Sequence, residues 1–85
     1  MTLTPEVSAL FAGHKTVPTT PLEVLEVALS LEMRARDFFA ERSQKLPRGS
    51  AAWRLCRELE AEEYEHVAMI ETEIQRRSEG QRGLL

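Results

Sequence analysis

Glu60, Glu62, Glu63, Glu65 and His66 place ionisable side chains on a stretch that is otherwise patterned as an amphipathic helix. At about 100° per residue, Ala52, Cys56, Leu59, Val67, Ile70 and Ile74 project within roughly 40° of Glu63, which therefore lies mid-stripe on an apolar face. His66, three residues on, shares that face. A bare buried carboxylate costs several kcal/mol, so Glu63 needs a partner. Glu32 raises the same demand in the preceding apolar stretch, where it projects between Leu25 and Phe39. Two carboxylates and an imidazole are the oxygen and borderline nitrogen donors that hold first-row divalent metals. A plainer reading competes. Glu32 has Arg36 at i+4 as an ion-pair partner, and Glu63 can pair with His66 or with an arginine of another chain as a polar layer that sets register.

Two helices are needed to position these groups. Thr20, Pro21 and Glu23 combine an N-cap, a proline at N1 and a capping-box glutamate. The helix they start is expected to run from Pro21 to about Gln44, with Val24, Leu25, Ala28, Leu29, Leu31, Ala35, Phe38 and Phe39 on its apolar side. With Val27 included, that arc spans about 180°, wider than one neighbour can cover. Pro47 and Gly49 break the pattern, and Ser50 caps a second helix expected to end near Ser78, with Gly80 as its terminator. Before the first helix, residues 1–19 read as an arm and linker. Thr4 and Pro5 open a short helix or turn there, and His14 reads as a solvated loop residue. The reading is thus an arm over 1–19, a helical hairpin over 20–78 and a flexible tail over 79–85.

An antiparallel hairpin has its turn centre near Pro47 and Arg48, about fifteen residues from Glu32 on one side and from Glu63 on the other. The two acids are expected at one level, with His66 a turn away. One hairpin cannot enclose them. Two copies about a two-fold axis make a four-helix bundle and double the set to four carboxylates and two histidines.

That set resembles the ligand set of ferritin-like di-iron carboxylate proteins, a glutamate from each of two helices and a Glu-x-x-His from each of the other two. Glu32 ahead of Phe38 and Phe39, followed by Glu63-x-x-His66, looks like the first half of a rubrerythrin-type domain. A chain with only one half is most similar to the two-helix encapsulated ferritins. The resemblance covers about residues 20–77. It implies an all-α hairpin that dimerises into a ferritin-like bundle, with Glu32, Glu63 and His66 as iron ligands of a centre shared between two chains. It also implies oxidation of ferrous iron by dioxygen, in iron storage or detoxification. Manganese is the alternative metal, and rubrerythrin-like peroxide reduction or a non-enzymatic dimerisation module the alternative roles.

This chain departs from the family in having Leu31 and Arg34 where encapsulated ferritins carry further acids, and phenylalanines where many relatives have a tyrosine. Glu62 is an alternate ligand or an acceptor for the second ring nitrogen of His66, and Glu60 an acid on iron's approach route. Glu65 faces solvent. Trp53, Met69, Ile70 and Ile74 read as core or subunit contact.

Eighty-five residues make one small domain, which buries only about 60% of its unfolded surface and so favours oligomers, either a homodimer or a ring of dimers. A net charge of −3 with both signs interspersed carries no basic patch for nucleic acid, and no apolar run reaches a bilayer span. The expected compartment is cytoplasmic. Gly83, Leu84 and Leu85 suggest a docking tail for an enclosing protein shell. Cys56, the single cysteine, excludes an intrachain disulfide and a four-cysteine metal site and reads as a small buried apolar group.

Overall fold

The computed structural model describes residues 17–83, with side chains for residues 17–80. The short N-terminal helix or turn, His14 and the Leu84–Leu85 tail lie outside the described residues. Within them the chain is two helices, α1 (Pro21–Gln44) and α2 (Ala51–Gly83), packed side by side as a hairpin. No helix among the described residues is long and apolar enough to cross a membrane.

The start of α1 follows from its first residues. Thr20 is extended (φ −103°, ψ 155°), its hydroxyl oxygen accepts from the Glu23 N–H at 3.2 Å, and Pro21 occupies the position where a missing N–H matters least. The capping box closes differently from the reciprocal form, because the Thr20 hydroxyl donates to Glu23 Oε1 at 2.9 Å. At the far end the Lys45 N–H returns to Arg42 O at 3.0 Å and the Leu46 N–H to Ser43 O at 3.3 Å. Gly49 adopts φ +85° in the turn, and the Ser50 Oγ accepts from the Trp53 N–H at 3.1 Å to start α2. That backbone angle favours glycine, so Gly49→Ala is expected to lower stability by about 1 kcal/mol, measured by urea unfolding.

The second helix runs past its expected end. Gly80 stays helical and α2 continues to Gly83, since an exposed glycine costs only about 1 kcal/mol and its neighbours Glu79, Gln81 and Arg82 favour helix. A Cβ at Gly80 meets open space, so Gly80→Ala is expected to change stability in the opposite sense to Gly49→Ala.

The hairpin is one layer of helices, and its smallest extent is 15 Å. Val27 and Val67 are its only buried apolar residues among those described, at 7% and 5% exposure. Trp53, Cys56, Ile70 and Ile74 are half-buried, whereas Val24, Phe38, Leu55, Tyr64 and Met69 stand exposed. A domain normally buries its apolar face against a second layer. Here the wide arc on α1 is only partly covered by α2. Near the end of α2, Arg76 and Arg77 both donate to the Glu73 carboxylate, at 2.6 to 2.9 Å.

Candidate metal centre

Glu32 comes from the middle of α1, and Glu63 and His66 from one face of α2. Their side chains meet across the hairpin, each offering a ligand atom within 4.8 Å of the others. His66 Nδ1 lies 3.4 Å from Glu32 Oε2 and 3.6 Å from Glu63 Oε2. A carboxylate can only accept, so the contact with Glu32 has the imidazole N–H as donor. A metal would take the place of that proton, because an imidazole nitrogen binds only with its lone pair free.

Exposure falls steeply across the three. His66 is 49% exposed and Glu32 31%, whereas Glu63 is 16% exposed. Glu63 Oε2 is fully buried and accepts no hydrogen bond. An oxygen left this way costs about 1–3 kcal/mol, more when charged, and a cation held by the same three side chains satisfies it. The hard oxygen pair and the one nitrogen suit a divalent first-row metal better than magnesium or calcium.

The surrounding residues separate the candidates further. Glu32 does not pair with Arg36, whose Nε donates to Asp37 Oδ1 at 3.2 Å and whose guanidinium sits 5.2 Å from the Tyr64 ring centroid. The i+4 ion pair is therefore replaced by a cation–π contact between the helices, which leaves Glu32 to the cluster. Glu60 is held by Arg57 Nη1 at 3.0 Å, and Glu62 is exposed; both lie outside the cluster. Glu65 is exposed, as its position opposite the stripe requires. The Arg36–Tyr64 contact and the orphaned oxygen of Glu63 escape a reading by helical face alone. The hairpin register sets Arg36 about five residues from the level of Tyr64, a gap of about 7–8 Å that only a long side chain spans.

Among the groups outside the centre, the two arginine hydrogen bonds hold the Glu73 carboxyl below its ordinary 4.5, and the bond to Glu73 raises the Arg76 guanidinium. A depressed carboxylate stabilises the fold above its unfolded value and loses that contribution as pH falls through the folded one. Acidification below about 4.5 is thus expected to loosen the last turns of α2 slightly, read as lower amide protection factors near Arg77, the effect being small because the pair is solvent-exposed.

No protein-family model, curated protein or solved structure matches this chain.

Proposed function

We propose that this chain is a ferritin-like di-iron protein in which Glu32, Glu63 and His66 hold iron at a centre completed by a second copy, and that it oxidises ferrous iron with dioxygen. The observation that carries the reading is the buried, unbonded Glu63 Oε2 beside His66 Nδ1 and Glu32 Oε2. His66 Nδ1 approaches that oxygen only to 3.6 Å, beyond hydrogen-bond reach, and a cation held by all three side chains would satisfy it. Ferrous iron is the substrate, and the electrons it gives up reduce dioxygen. The protein's part is to bind and orient. Glu32 and Glu63 would offset the charge of the cations, and His66 would offer a ring nitrogen with its lone pair free.

A second copy fits the half-open state of the cluster and the uncovered apolar residues Phe38, Leu55 and Met69. Those residues equally favour a second reading, a dimerisation module in which the three groups form only a polar layer. Mineral storage needs a cavity, which a two-helix dimer lacks, so storage would call for a larger ring or an enclosing shell.

Anaerobic titration of metal-free protein with ferrous iron, followed by admission of air, tests the proposal. Saturation near one iron per chain and ferric absorbance rising faster than in buffer are expected. No stoichiometric uptake and oxidation at the buffer rate would leave only the polar-layer module.

A further inference from the structure

Arg36 is a resident cation next to a group of side chains suited to hold a metal ion. It follows Glu32 by one turn of α1, on the same face and about 6 Å nearer the hairpin turn. Side chains on a helix lean towards its N-terminus, so a long one at this position is carried back to the level of Glu32. The contact across the hairpin agrees with that placement. Tyr64 directly follows Glu63, and the Arg36 Cζ lies 5.2 Å from the centroid of its ring.

A guanidinium at that height has two places to go. One is the Glu32 carboxylate, through an ordinary i,i+4 ion pair, and the other is the face of the Tyr64 ring. At partly exposed sites the two contacts are of similar strength, so local detail decides between them. Here the Arg36 Nε donates to Asp37 Oδ1 at 3.2 Å. Asp37 is about 140° round the helix from Glu32, so that bond and the ring together keep the guanidinium off the cluster. Glu32 Oε2 is left facing His66 Nδ1 at 3.4 Å. An arginine seated on Glu32 would engage the lone pairs that a metal needs and set a like charge against the arriving cation.

We infer that Tyr64 is a positioning residue of the centre: its ring holds Arg36 off Glu32 and thereby sets how tightly the cluster binds a divalent cation. This rests on the proposal that Glu32, Glu63 and His66 hold metal, and it adds a residue outside the ligand set together with the internal competitor that it restrains. Tyr64 is 54% exposed, so replacing it opens no hole in the core.

Titration of the full, metal-free chain with cobalt, followed by calorimetry, tests the inference. Tyr64→Leu is expected to bind cobalt about fivefold more weakly than wild type, the effect of one ion pair at a partly exposed carboxylate. The double variant Tyr64→Leu, Arg36→Gln is expected to regain wild-type affinity, because the competitor has gone. Tyr64→Phe, which keeps the ring, is expected to stay within about twofold of wild type. Unchanged affinity in Tyr64→Leu, no recovery in the double variant, or a Tyr64→Phe as weak as Tyr64→Leu overturns the inference and leaves the metal centre standing. Arg36→Gln alone is expected to bind at least as tightly as wild type. A weaker site in that variant also overturns the inference, since Arg36 would then support Glu32 rather than compete for it. Wild-type protein that takes up no cobalt overturns the centre itself and the role of Tyr64 with it.

Discussion

Metal-free wild-type protein is expected to gain about 2.7 kcal/mol of stability when a divalent cation is raised to a hundred times its dissociation constant, and Glu63→Ala or His66→Ala to gain almost none. For a domain of this size that gain corresponds to an increase of roughly 10–20 °C in melting temperature. Cobalt or zinc serves as the probe under air, which separates binding from oxidation. The effect is large because ligands, fold and cluster coincide. Glu32 and His66 belong to different helices, so a cation held between them ties α1 to α2 at the level where their side chains meet. Loss of Glu63 removes the most deeply placed donor, and loss of His66 the only nitrogen. An equal metal response in wild type and both variants would sink the site.

The second expectation runs the other way. Glu63→Leu is expected to stabilise the metal-free protein by about 1–3 kcal/mol, because it removes a buried oxygen that has no hydrogen bond and replaces it with an apolar group on an apolar face. The same variant loses the response to metal. Together these outcomes describe a side chain kept against the interest of the empty fold, as a binding group is. Chemical denaturation with and without metal measures both. A Glu63→Leu protein that unfolds at lower denaturant than wild type would mean that the carboxylate has a structural partner, which would favour the polar-layer reading.

Much of the site was legible in the sequence because two periodic patterns meet about one turn. The 3.6-residue period sets Glu63 and His66 on one face, and the spacing from Pro47 sets Glu32 opposite them; the structure brings the three together. The start of α1 and the cap at Ser50 were equally readable, since both depend on contacts three residues apart. Other features depend on energies too close for pattern to decide. Arg36 had a carboxylate four residues behind it and another one residue ahead, and the Tyr64 ring across the hairpin helps to draw it away from Glu32. Gly80 was read as a stop, yet it lacks the left-handed angle that makes a glycine end a helix. Nor does hydrophobicity tell which apolar residues are buried. Val24 and Val27 are alike in chemistry and three residues apart, but Val27 is 7% exposed and Val24 51%.

That Val27 and Val67 are the only buried apolar side chains among the described residues has a consequence for how the protein melts. Two valines contribute only about 3–6 kcal/mol through burial, too little to offset the backbone entropy of two long helices. If most of the remaining apolar contact comes from another chain, unfolding and dissociation become a single event with the order of a bimolecular reaction. The midpoint of a thermal scan would then climb with protein concentration, and a dilute sample would lose its helices at temperatures where a concentrated one keeps them.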